Sequence, residues 1–158
     1  MTTQVPIDDP AALTRYIESR YHDRHRQQLP ELTRQADLVE TVHSGERKTP
    51  QGLAVLLSRL AGAMEIHMKK EELILFPMIR RGGGQGIAQP IAAMRADHAD
   101  HDGEIAAIRK LTDDLSLPEN ACRTWVSLYD GLGQFIADLQ EHIRLENEEL
   151  FPRFETLH

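Results

Sequence analysis

The sequence is poor in cysteine and in aromatic side chains, and it carries no surplus of positive charge. One cysteine, Cys122, stands in 158 residues, which excludes an intrachain disulfide framework. Four Phe, three Tyr and one Trp leave the core to be built mainly from aliphatic side chains. Eighteen Lys and Arg against 25 Asp and Glu give a net charge of −7. No excess of cations is therefore present to neutralise a nucleic-acid backbone or an anionic bilayer. No apolar run reaches the length of a membrane span, and the N-terminus lacks the charged-then-apolar pattern of a secretory leader. These absences make a cytoplasmic location the expectation, with neither nucleic acid nor membrane as a partner. No stretch alternates apolar and polar residues over the length of a strand, so no strand is expected. A chain of this length, 41% hydrophobic and 27% charged, fits a single globular domain with a core of its own.

What is present is helical. Asp9-Pro10 reads as an N-cap followed by proline at the first helical position, and Thr49-Pro50 repeats that signal. Gly82-Gly83-Gly84-Gln85-Gly86 reads as a flexible stop; no strand precedes it and no Gly-Lys-Ser/Thr follows, so it is not a phosphate loop. Ser116-Leu117-Pro118-Glu119 reads as a capping box. The expected helices cover about 10–43, 50–81, 87–115 and 117–155, with Pro30 and Pro77 as local distortions. Four long helices with short connections imply an all-α, up-down-up-down four-helix bundle, one domain over 1–158.

Eight histidines are present, and their placement is informative. The apolar stripe of the second helix reads Leu53, Leu57, Leu60, Met64, His67, Glu71, Ile74, Met78. That of the third reads Ile87, Ile91, Met94, His98, His101, Ile105, Ile108, and that of the fourth Trp125, Leu128, Leu132, Phe135, Leu139, His142, Glu146. Imidazoles and carboxylates have replaced apolar groups on faces that should be buried. His67-x-x-x-Glu71 and His142-x-x-x-Glu146 share the same form, lie 75 positions apart, and are each followed by a Phe-Pro pair, Phe76-Pro77 and Phe151-Pro152. His22-x-x-His25 precedes the first of these, and His98-x-x-His101, 76 positions on, precedes the second. A helix pair has been used twice, which implies pseudo-twofold symmetry. From His22 to the end of its helix, and back along the next helix to His67, the rise is roughly 30 and 25 Å, so the two histidines reach similar depth.

Residues four apart share a helix face. Each H-x-x-x-E segment therefore offers one imidazole nitrogen and one carboxylate in the same direction. A single such motif is usually a surface pair; two matched copies on buried stripes point to a dinuclear metal site, because unpaired buried imidazoles and carboxylates are costly. Four imidazoles and two carboxylates differ from the carboxylate-rich ferritin-like sites, and they suit iron, zinc, manganese or copper. Periodicity does not separate His22 from His25 or His98 from His101 as ligands. The second of each pair is expected to hold a bridge or a water.

Arg20-Tyr21-His22-Asp23-Arg24-His25-Arg26 with Leu29-Pro30-Glu31-Leu32, His67 to Pro77, Asp97-His98, Cys122 with Trp125, and His142 to Pro152 together resemble the hemerythrin-like proteins, most closely the "repair of iron centers" di-iron family. The resemblance covers nearly the whole chain. It implies the ligand set His22, His67, Glu71, His98, His142 and Glu146 around two non-haem iron ions, oxo- or hydroxo-bridged. His22 and His67 would serve one iron, His98 and His142 the other, and the two glutamates would bridge. It further implies a stress-response protein that repairs damaged iron-sulfur or other iron centres and binds nitric oxide, dioxygen or peroxide; a self-contained four-helix core makes a monomer the expectation. The alternative is a hemerythrin-like sensing or scavenging module without turnover, and net reduction of nitric oxide or peroxide is a third reading. Two departures bear on these expectations. Asp102 and Glu146-Asn147 stand where oxygen-carrying hemerythrins have other ligands, which argues against reversible oxygen carriage. The small N-terminal domain with adjacent cysteines found in full-length repair proteins does not precede the first helix here.

The remaining features read as structural. Cys122, Trp125 and Tyr129 are expected to pack, and Met64, Met68 and Met94 to fill space. His43 and His158 are expected to be exposed near helix ends. Glu72, Glu148 and Glu149 are expected to be solvated, and Tyr21 to turn away from the site.

Overall fold

The computed structural model describes residues 4–155, and over these residues the chain forms four long helices and no strand. Helix α1 (10–42) comprises Pro10–Ile17, a π-helical turn at Glu18–His22, and Asp23–Val42. Helix α2 (53–80) comprises Leu53–Lys70, a π turn at Glu71–Leu75, and Phe76–Arg80. Helix α3 is Ala88–Leu111, and helix α4 (123–155) comprises Arg123–Arg144, a π turn at Leu145–Leu150, and Pro152–Glu155. Helix α1 packs against α2 and α4, and α3 packs against α2 and the last turn of α4. This is the expected four-helix bundle.

The helix starts follow tertiary partners more than local signals. Asp9 caps α1 as read, its carboxylate accepting from the Ala12 N–H at 3.1 Å. At α2 the Thr49-Pro50 signal is not used: Thr49 Oγ1 donates to the His43 carbonyl, and the helix opens three residues later. There the Glu40 carboxylate of α1 accepts from the Gly52 and Ala54 N–H groups at 2.7 and 2.9 Å, satisfying donors that every helix start leaves open. Gly52 takes φ of 94° at this junction, a conformation glycine adopts without strain. Helix α3 ends at Leu111 rather than near 115, because Asp113, Asp114 and Leu115 turn left-handed. The expected capping box at Ser116–Glu119 is not helical: Pro118–Ala121 forms a turn, the Ala121 N–H donating to the Pro118 carbonyl, and α4 starts only at Arg123 with Cys122 as its N-cap. Leu115, Leu117 and Ala121 of this connection pack onto the core, which offsets the lost helical turns.

The π turns at Glu71–Leu75 and Leu145–Leu150 have a sequence cause, the proline that follows each. Pro77 and Pro152 have no N–H and would collide with the carbonyl four residues back in a regular helix. Just ahead of each, the helix widens: Phe76 N donates to Glu71 O, and Phe151 N donates to Glu146 O at 2.8 Å. The extra residue shifts the buried stripe by one position. Leu75 and Ile79 are therefore buried, whereas Ile74, on the expected stripe, is 55% exposed. Pro30 lies on the exposed side of Asp23–Val42 with no π turn beside it.

The apolar core is divided. One cluster, from Val39 and Leu53 to Phe135 and Ile143, fills the end of the bundle that holds Trp125. A second, from Leu13 and Tyr21 to Phe151 and Phe154, fills the other end. Between them lies a layer of buried His and Glu. Helices α1 and α4 approach closely at Gly131, where a Cβ would stand 2.8 Å from Leu32 Cδ2. Leu132 beside it is fully buried. Leu132→Ala is expected to cost about 2–5 kcal/mol through lost burial and the cavity left behind, read as a lower urea midpoint with an unchanged helical spectrum.

Candidate metal centre

All six residues singled out by the sequence meet in the polar layer, each 3% exposed or less. His22, His142, Glu71 and Glu146 offer donor atoms within 4.8 Å of one another, and so do His67, His98, Glu71 and Glu146. The two glutamates belong to both groups. The pairing of the histidines differs from the one the resemblance implied: His22 joins His142, and His67 joins His98, each pair with ring centroids 5.0 Å apart. Each donor group thus draws its imidazoles from one pair of neighbouring helices, α1 with α4 or α2 with α3, and not from α1 with α2 or α3 with α4. His25 and His101 are buried but stand outside both groups.

The ring orientation of each ligand candidate is fixed from behind. His22 Nδ1 donates to Glu72 Oε2 at 2.8 Å, His67 Nδ1 to Asp97 Oδ2 at 3.0 Å, and His98 Nδ1 to Asn147 Oδ1 at 2.7 Å. His142 Nδ1 lies 3.0 Å from His25 Nε2, and His25 Nδ1 faces Gln28 Oε1 at 3.4 Å. With Nδ1 engaged as donor, each imidazole presents the lone pair of Nε2 to the centre. Each group then has one imidazole backed by a carboxylate and one backed by a neutral partner.

These partners correct two expectations. Glu72 is not a solvated surface group: it accepts from His22, and Arg26 grips it with NH1 and NH2 at 2.8 and 3.0 Å. The His22 hydrogen bond, followed by Arg26, holds its carboxyl down at about 2 against the effect of burial. Tyr21 does not turn away: its ring stacks on His142 at 5.5 Å. The π turn at Glu18–His22 brings consecutive residues 21 and 22 both inward. Burial pushes the Tyr21 hydroxyl up to about 12. Glu148 is exposed and Glu149 half-buried beside Arg144. His43 is half-buried, against Trp125 and Cys122, while His158 lies outside the described residues. Asp102 is exposed and takes no part in the centre.

The Phe-Pro pairs also act at the site. Phe76 lies parallel to His22 at 5.7 Å, and Phe151 parallel to His98 at 5.9 Å. Each π turn thus lays an aromatic plate on a ligand candidate of a neighbouring helix. The sequence carried a signal for part of this, in the recurrence of two positions. Glu72 and Asn147 occupy the same position, one after the glutamate, in the two repeats, and the Phe-Pro pair recurs at fixed distance.

The donor set fits divalent cations. His67 Nε2, His98 Nε2, Glu71 Oε2 and Glu146 Oε1 are buried and make no hydrogen bond. His98 Nε2 and Glu146 Oε1 lie only 2.8 Å apart, yet the ring is not aligned to donate to the carboxylate. Burial and the Glu146 carboxylate push Glu71 well above the ordinary carboxyl range. Burial acts the same way on Glu146, but His142 and His98 outweigh it and hold that carboxyl low. Two carboxylates so placed cannot both be charged without a cation between them.

Burial, with neighbouring imidazoles, lowers His25 to about 3 and His142 to about 4, from an ordinary 6.5. Unfolding restores the ordinary value, so below it the unfolded chain binds more protons. Metal-free protein is therefore expected to lose stability progressively as the pH falls from 6.5 towards about 4. Urea denaturation at stepped pH reads this directly, and a midpoint constant across that window contradicts it. Glu72→Gln and Asp97→Asn are each expected to weaken cation retention roughly 10–100-fold. Asn147→Asp, which gives His98 the kind of partner His22 has, is expected to strengthen it. Competition with a chelator measures all three.

No helix among the described residues is long and apolar enough to cross a membrane. The chain is 48% identical over 148 residues to the iron-sulfur cluster repair protein YtfE of Musicola paradisiaca, an alignment covering 94% of this chain and 65% of that protein. It is 50% identical over 141 residues to the protein of the same name from Yersinia pseudotuberculosis, covering 89% of this chain and 64% of the relative. The chain thus spans about two thirds of the length of these relatives. Residues 16–154 match the hemerythrin HHE cation binding domain, a span that reaches into all four helices and holds every donor of the buried cluster, and the chain belongs to that family.

Proposed function

We propose that the chain holds a non-haem di-iron centre and takes part in the repair of damaged iron-sulfur or other iron centres. The observation that carries this reading is the pair of buried four-donor groups sharing Glu71 and Glu146. The name of the relatives supplies the repair role. In this reading His22 and His142 hold one iron, His67 and His98 the other, and the two glutamates bridge. Such a pair of ions would supply one-electron redox chemistry and open positions for nitric oxide, dioxygen or peroxide.

The protein's own residues prepare that centre. Glu72, Asp97, Asn147 and His25 keep each Nε2 unprotonated and aimed inward. Phe76, Phe151 and Tyr21 exclude water from the imidazole faces. Two imidazoles per ion and shared carboxylates leave a centre that can both bind a small ligand and give up its metal. The exposed position of Asp102 favours repair or sensing over oxygen carriage. A second reading is a binding module for nitric oxide or dioxygen without turnover, which the same two buried donor groups would serve.

Anaerobically purified protein is expected to contain about two irons per chain, as the two donor groups require. It is expected to gain an oxo-bridged absorption in air and a nitrosyl signal with nitric oxide. Mixed with a protein whose iron-sulfur cluster has been damaged, it is expected to restore more activity than free ferrous iron at equal concentration. Restoration equal to free iron would leave the binding module as the function. Absence of iron after reconstitution would remove both readings.

A further inference from the structure

The two halves of the polar layer are alike in their ligand candidates but not in their second histidines. His25 engages both ring nitrogens, with His142 and with Gln28. Its counterpart His101, 76 positions on, is 3% exposed and makes no hydrogen bond through either nitrogen. Glu104, one turn further along α3, has a buried Oε2 that is equally without a partner. His101 Nδ1 and Glu104 Oε1 stand 3.8 Å apart, too long for a hydrogen bond. That separation is shorter than two metal–ligand bonds of about 2.0–2.2 Å laid end to end, so one ion can contact both atoms at a wide angle between them.

Both side chains line a cavity of about 210 Å³ between α2 and α3, together with Asp97, Asp100 and Lys70. Asp97, His101 and Glu104 recur at spacings of four and three, so one face of α3 carries them all. Three carboxylates and an imidazole face one ammonium. Ala63 and Ile66 complete the lining, and its surplus of negative charge repels anions. A buried nitrogen donor beside a buried oxygen donor, in a negative cavity, matches a divalent cation.

We propose that His101 and Glu104, supported by Asp100 and Asp97, form a third divalent-cation site, separate from the dinuclear centre and weaker than it. It is weaker because only two donors approach each other closely and because Lys70 opposes the charge. Asp97 connects the two sites: it lines this cavity and accepts from His67 Nδ1. The site stands on residues outside both donor groups and does not depend on the di-iron reading.

The test is a Mn²⁺ titration of iron-loaded protein, followed by the loss of the free-ion electron paramagnetic resonance signal. One Mn²⁺ per chain is expected to bind without displacing iron. Glu104→Gln and His101→Ala are each expected to weaken that binding roughly tenfold or more, with iron content unchanged. Lys70→Met is expected to strengthen it. Failure of iron to load would count against the proposed function and not against this site; the same titration of metal-free chain then decides, Glu104→Gln lowering the Mn²⁺ count by one. Absence of Mn²⁺ binding beyond the dinuclear complement, or binding equal in wild type and both variants, overturns the proposal and leaves a water-filled cavity.

Discussion

Two buried carboxylates that face each other across the middle of a helical bundle govern this structure. Glu71 and Glu146 are both fully buried, and each stands within reach of imidazoles from both donor groups. Without a cation, their mutual repulsion and their burial hold a proton between them and leave lone pairs unused. A cation among the same atoms would take up those lone pairs and relieve the repulsion. The core is divided to serve this layer: apolar clusters close both ends, and the polar groups they enclose have no access to bulk water in compensation.

The helices are deformed where the layer requires it. A regular α-helix through Phe-Pro would clash; the π turn relieves the clash and adds one residue to the turn that starts at each glutamate. The addition moves the apolar stripe by one position beyond the site, so Leu75 and Ile79 pack where Ile74 and Met78 would otherwise lie. It also swings Phe76 and Phe151 over His22 and His98. One proline-driven irregularity, used twice, thus sets the ligand angle, the cover of the ligand and the continuation of the core. π turns inserted in helices frequently mark functional sites, and here the mechanical reason is visible.

The repeat is not a perfect copy. Glu72 and Asn147 occupy equivalent positions but differ in charge, and His67 and His142 are backed by an aspartate and a neutral imidazole respectively. Each donor group still receives one anionic and one neutral support, so the supporting charge is distributed evenly between two donor groups built from unlike parts. The greater difference lies further out. His25 is closed into a hydrogen-bonded chain, whereas His101 opens on an acidic cavity. The two sides of the layer are therefore unequal in their exposure to ions from solvent.

How much of this was legible follows from the range of each interaction. The helical class, the four-helix bundle, the repeat and the inward His67, Glu71, His142 and Glu146 are written in the sequence, because periodicity and spacing are local and a polar group on a buried stripe is visible wherever it occurs; His22 and His98 are separated from His25 and His101 only by the family resemblance. Sequence could not place the starts of α2 and α4, since Glu40 caps α2 from a neighbouring helix and Leu115 and Leu117 pack onto the core in place of helical turns. Nor could it give the pairing of His22 with His142 and of His67 with His98, or the inward turn of Tyr21 and Glu72. Those depend on π turns, which shift every later residue by about 100° around the helix, and on the crossing of four helices at one depth. The chain by itself determined which groups are buried without partners; the tertiary structure decided which of them meet.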